Sequence, residues 1–177
     1  VTGTFQGETD FGGVSLNATS QDIFVAKFDG NQGTLNWVIF GGGLGVDSVY
    51  DMAIMPSGGV KLATATDGFS KWGANTYIAV GNIDTVIVEI DPNGAILSTT
   101  GFGTAGQSTL VIQIAVDGSG DTYLSGTFGG TLSSGGWTAT AAYGGNDIFI
   151  AKSATNQANS WATVAGTSAT DEPQGMA

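Results

Sequence analysis

The chain has 177 residues, 41% of them apolar and only 11% charged, which is enough apolar material for a packed core and too much for a disordered segment. Four lysines against fifteen carboxylates leave a net charge of −11, which argues against nucleic acid and anionic membranes as partners, since both demand clustered cations. Cys and His are both missing, so disulfides, thiol nucleophiles and imidazole acid–base chemistry are excluded as well.

Thirty glycines and three prolines predict short strands joined by tight turns, and no stretch sustains a helical period. Val1-Thr2-Gly3-Thr4-Phe5 opens in the middle of a strand pattern, so a signal peptide or anchor is expected only outside these residues. Asp22-Ile23-Phe24-Val25-Ala26-Lys27 is a strand apolar on both faces, as a sheet covered on both sides requires. The turn Asp29-Gly30-Asn31 leads to a strand through Trp37-Val38-Ile39-Phe40-Gly41-Gly42, and the next strand ends in Met52-Ala53-Ile54. Pro56-Ser57-Gly58-Gly59 is hairpin chemistry before the strand Val60 to Thr64. A glycine-rich excursion separates it from Asp84-Thr85-Val86-Ile87-Val88-Glu89, after which Asp91-Pro92-Asn93-Gly94 turns into a strand from Leu97 to Gly103. The order then returns: a strand ending Ile114-Ala115-Val116, the turn Asp117 to Asp121, Thr122 to Phe128, a second excursion, Asp147 to Lys152, Trp161 to Gly166, and a strand end at Met176-Ala177.

The Asp-initiated strand thus recurs at offsets of 62 and 63 residues (84 − 22 and 147 − 84). A unit of this length that cannot bury its apolar faces alone must stack on its neighbours. Four antiparallel strands per unit, both faces covered, and a small Gly or Ala at each crowded approach predict an all-β chain of β-propeller-type blades. The expected units are 1–59, 60–121 and 122–177. The order of Gly-Thr-Phe, Asp-Ile-Phe-Val-Ala-Lys, Trp with a following Gly-Gly, and Ile-Ala-Val-Asp-Gly-Ser-Gly-Asp resembles the bacterial SBBP-type β-propeller repeat of exported and cell-surface proteins. The middle unit departs from it, with Thr85, Glu89 and Leu97 replacing Ile, Lys and Trp. The resemblance implies an extracellular propeller scaffold and carries over no catalytic residue. A polar coat of Ser, Thr, Asn, Gln and Gly points to the same location.

Aligning Ala177 with Ala115 and Val1 with Leu124 makes the two ends parts of one cut unit. Three blades are too few for an ordinary ring of about four to eight. The expected partners are therefore further blades of a longer chain, or further copies of this chain forming rings or filaments.

Lys27, Glu89 and Lys152 occupy equivalent positions with alternating sign and are candidates for inter-blade ion pairs, or else solvated strand ends. Asp29, Asp91, Asp117 and Asp121 lie in glycine-rich turns; Asp117 and Asp121 are weak calcium candidates, against the commoner role of an Asp bonding its own turn. Asp22, Asp84 and Asp147 read as structural hydrogen-bonding groups, and Asp47, Asp51, Asp171 and Glu172 as surface ligands. Trp72, Trp137, Tyr77 and Tyr143 stand in or beside the excursions and are candidates for stacking on a glycan, whereas Trp37 and Trp161 recur within the unit and read as core. Asn17-Ala18-Thr19 matches a glycosylation acceptor. The functional expectation is a structural or assembly module without a cofactor, the alternatives being a glycan- or protein-binding module and a carboxylate-dependent glycan-active enzyme.

Overall fold

A computed structural model describes residues 1–176, and every regular element in it is a β-strand. In chain order these are β1 (Thr2–Asp10), β2 (Ser15–Phe28), β3 (Leu35–Gly41), β4 (Asp47–Ile54), β5 (Val60–Thr66), β6 (Phe69–Trp72), β7 (Asn75–Ile78), β8 (Asp84–Ile90), β9 (Ile96–Phe102), β10 (Thr109–Val116), β11 (Thr122–Phe128), β12 (Thr131–Ser134), β13 (Trp137–Thr140), β14 (Asp147–Ser153) and β15 (Trp161–Ala165). With no helix among the described residues, none is long and apolar enough to cross a membrane.

All pairings within the sheets are antiparallel. The first sheet has the order β1-β2-β3, the second β4-β5-β8-β9 and the third β10-β11-β14-β15, while β6-β7 and β12-β13 are separate two-stranded ribbons. None of the sheets closes on itself. β-Branched and aromatic residues form these strands because they pack well on a pleated surface, and β8 shows this most clearly: Val86, Val88 and Ile90 are wholly buried on one face and Thr85 on the other. The turns between strands follow the sequence. Asp29, Asp91 and Asp117 each accept a main-chain amide two residues on, from Asn31, Asn93 and Ser119 at 2.8–2.9 Å, which is the Asx-turn bond expected of turn aspartates.

The sheets stack face to face in chain order. Ile23 and Val25 of the first pack with Leu62, Trp72, Val86, Val88 and Ile90. The opposite face of the second sheet contributes Ala63 and Phe102 to a core with Val111, Ile114, Leu124, Phe128, Phe149 and Ala151 of the third. Phe5, Leu16 and Ala18 cover the outer face of the first sheet, joined by Phe11, Phe24 and Val38. Each sheet is linked to the next by a crossing backbone contact: a parallel bridge joins Gln21 to Val46, and another joins Ile83 to Ser108.

Two features depart from the sequence expectation. The glycine-rich excursions are not loops: each is a ribbon of two four-residue strands, β6-β7 and β12-β13, that reaches from its own sheet to the preceding one, through the Lys71–Gly42 bridge in the first case and the Trp137–Phe102 ring contact in the second. The expected strand ending at Met176-Ala177 does not form within the described residues, since residues 166–176 carry no strand and Ala177 lies outside them. The segment nevertheless starts as the earlier ones do. The Asp171 amide donates to the Asn146 carbonyl at 3.0 Å, in the way that the Thr109 amide donates to that of Ile83 at 2.8 Å.

Candidate functional site

The sequence-predicted site residues are scattered, and most serve the fold. Trp72 is completely buried. Its indole lies flat against Gly41, where any side chain would collide with the ring, and its Nε1 donates to Ser70 Oγ at 3.2 Å. Trp137 is 4% exposed, stacked on Phe149 at 5.9 Å and bonded through Nε1 to Ser153 Oγ at 2.8 Å. Both tryptophans therefore anchor their ribbons to the cores, and neither presents a face for a glycan. Tyr77 is half-buried over Gly101, with its hydroxyl donating to Asp84 Oδ2 at 2.8 Å. Burial first, and then the Asp84 carboxylate, hold that phenol well above its ordinary pKa. Tyr143 is 53% exposed and alone among these four offers an open ring. The residues assigned to the core run the other way, for Trp161 is 45% exposed and Trp37 is partly exposed.

Trp37 lines a groove of about 290 Å³ between the first and second sheets, together with Val25, Lys27, Ile54, Val60 and Asp91. Its Nε1 and the Lys27 ammonium both donate to the Pro92 carbonyl at 3.0 Å, tying the first sheet to the turn of the second.

The expected Lys27–Glu89 pair does not form. Glu89 is met instead by Lys61, its cross-strand partner on β5, at 3.6 Å. Lys61 also donates to Thr122 Oγ1 of the third sheet at 2.9 Å, so the inter-sheet link is made by a residue that the sequence did not single out. Lys152 pairs with Asp121 at 2.8 Å and lies 5.4 Å from the centre of the Tyr123 ring. The hydrogen bond to Asp121 raises the Lys152 pKa, and the same bond lowers that of Asp121.

Neither calcium candidate has carboxylate oxygens to spare. Asp117 accepts the Ser119 and Asp121 amides and the Tyr123 hydroxyl, and Asp121 accepts the Thr155 amide and hydroxyl beside Lys152. Asp51 is not a surface ligand either: its Oδ2 accepts the Ile114 amide of the third sheet at 2.9 Å. Asp171 accepts the Thr167 amide at 2.7 Å, which closes a local turn.

The distinctive chemistry lies where each sheet begins to cross to the next. Asp22, Asp84 and Asp147 are buried at equivalent positions, each packed over a glycine that no other residue could replace without collision: Gly42, Gly103 and Gly166. A second equivalent position, spaced by 62 residues, is filled by Asp47, Thr109 and Asp171. Among the described residues, four buried side-chain oxygens have no hydrogen-bond partner: Oδ1 of Asp22, Asp47 and Asp147, and Oγ1 of Thr109. All four belong to these two positions. Asp47, read from the sequence as a surface ligand, is completely buried. Burial is the main cause that pushes its pKa up to about 6, with the Asp22 charge adding to the rise and the Ser70, Thr66 and Gly43 groups opposing it. Burial likewise raises Asp22.

No family model matches the chain, and no curated protein matches it. The resemblance to the SBBP repeat therefore rests on the quoted motifs alone.

Proposed function

We propose that the chain is a structural assembly module of β-propeller-type blades, exported or displayed at a cell surface, that joins further blades or further copies of itself through its two outer flanks. The carrying observation is a complementary pair of features. The second and third sheets have four strands, but the first has three, leaving the outer edge of β1 without a hydrogen-bonded neighbour among the described residues. Beyond the third sheet, the segment from Asp171 enters the crossing position that opens β10 in the preceding sheet. Met176 lines a groove of about 210 Å³ together with Ala115, Val116 and Tyr123 of the third sheet.

An open strand edge is a template for pairing with another strand. Between β1 and β4 runs a groove of about 430 Å³ bounded by Thr2, Gly3, Thr4, Val49, Tyr50, Asp51 and Met52. A contact of one copy's Asp171 segment with the next copy's β1 is head-to-tail, and such contacts close into rings or extend into filaments according to their rotation. The interior placement of Trp72 and Trp137 favours this reading over a glycan-binding module.

Native mass measurement and negative-stain microscopy of the purified chain test the proposal. Rings or filaments are expected, and replacing Thr4 by Pro in β1, which removes an edge donor, should abolish them. A particle that stays at 17.8 kDa at every concentration overturns self-assembly.

A further inference from the structure

The junction between the first and second sheets holds a pair of acids that neither the strand pattern nor assembly requires. Asp22 and Asp47 are 6% and 0% exposed and converge from two strands on the dipeptide Gly42-Gly43. Asp22 packs on Gly42, and Asp47 Oδ2 accepts the Gly43 amide at 2.9 Å. Each carboxylate keeps its Oδ1 without a donor. No lysine compensates them: the two salt bridges of the described residues lie elsewhere, and Lys71, whose backbone bridges Gly42, has an exposed side chain.

Two buried like charges at one place persist only if a proton or a cation joins them. The hydroxyls of Thr66 and Ser70 hydrogen-bond to Asp47, so the side-chain groups next to it are hard oxygens, which favours a calcium-class ion over softer metals. A single shared proton leaves one of the two charges uncompensated, whereas a divalent cation offsets both. The equivalent positions lack this pairing. In the second junction Thr109 replaces the second acid, and in the third Asp171 is turned to Thr167.

We propose that Asp22 and Asp47 hold one divalent, oxygen-seeking cation of the calcium class, with their Oδ1 atoms as its charged ligands, so that the ion ties the first sheet to the second. The claim is independent of assembly, because both acids belong to one chain.

Calcium chloride titrated into metal-free protein, followed by calorimetry and thermal melting, tests it. The expected result is one ion per chain and a melting temperature that climbs with calcium concentration, as binding to the folded state alone requires. Asp22→Asn and Asp47→Asn should each weaken binding at least about tenfold, by removing one charged ligand. Asp147→Asn should leave it unchanged. Folded wild-type protein that shows neither heat nor a melting shift up to about 10 mM calcium overturns the proposal, as does binding that survives Asp47→Asn. Should the variants fail to fold, the wild type decides through pH. Ligand carboxylates must be ionised, so affinity should fall at least about tenfold between about pH 7.5 and pH 5, and pH-independent binding overturns the assignment.

Discussion

The first and second junctions place a buried aspartate at the same point of the fold and satisfy it in opposite ways. In the second junction Asp84 receives the Tyr77 hydroxyl and the Val80 amide on Oδ2, at 2.8 and 2.7 Å, and the Gly81 amide on Oδ1 at 3.1 Å. In the first, the other strand of the same β6-β7 ribbon places Trp72 over Gly41 and supplies no hydroxyl to Asp22, and the neighbouring position adds a second carboxylate, Asp47, in place of Thr109. A buried carboxylate with three donors is a structural post. In the first junction each of the two carboxylates keeps one oxygen, Oδ1, without a donor.

The largest effect follows from breaking the satisfied junction. Asp84→Ala should leave the Tyr77 hydroxyl and two amides unpaired near the core and cost about 3 kcal/mol of stability, read as a lowered midpoint in urea unfolding. A cost below about 1 kcal/mol would show that water replaces the carboxylate freely and that the contrast between the junctions is superficial.

The unsatisfied junction is sharpened by pH. In the absence of divalent ions, Asp47 holds its proton more tightly in the folded chain, where its pKa is about 6, than in the unfolded chain, where it is near 3.8. Its contribution is therefore fully present below about pH 3.8 and is lost as pH rises through about 6, an effect on the order of 2 kcal/mol. Asp91 and Asp121, whose pKa values are lowered, act in the opposite sense at lower pH. Wild type against Asp47→Asn reads Asp47 together with its coupling to Asp22: the difference between their stabilities should change across pH 4–6 and level off above it. A constant difference would mean that Asp47 titrates alike in both states.

How far these junctions were legible in the sequence depends on the length of the signal. Thr122 to Phe128 was readable to the residue as β11, and Ile54 and Val116 end β4 and β10 as expected, whereas β5, β8 and β14 run one or two residues past their expected ends and β2 begins seven residues earlier. The ribbons were not, because four residues per strand give periodicity too little to act on, and Trp72 in a polar stretch looks like a surface ring until the bare backbone of Gly41 is seen beneath it. Asp47 was misplaced for the same reason: a glycine-rich approach reads as exposed, and only its pairing with Thr66 on β5 shows that it opens a strand at a buried point. Lys27 and Glu89 share a repeat position, but the contact that forms is set by cross-strand register, which brings Lys61 to Glu89. The signal that would have found the junctions was present as the paired 62-residue spacings of Asp22 with Asp84 and of Asp47 with Thr109.

The smallest effect separates the phenol from the rest of the second junction. Tyr77→Phe keeps the ring over Gly101 and leaves the Val80 and Gly81 amides on Asp84, so it removes a single hydrogen bond to a charged acceptor. Such a bond is worth about 1–2 kcal/mol, and the loss should appear as a lowered urea midpoint at unchanged slope. The ribbon should also move toward the first junction in behaviour, because Asp84 would then hold only two donors. If Tyr77→Phe costs as much as Asp84→Ala, the hydroxyl rather than the pair of amides carries the post, and the difference between the two junctions reduces to one residue of the ribbon.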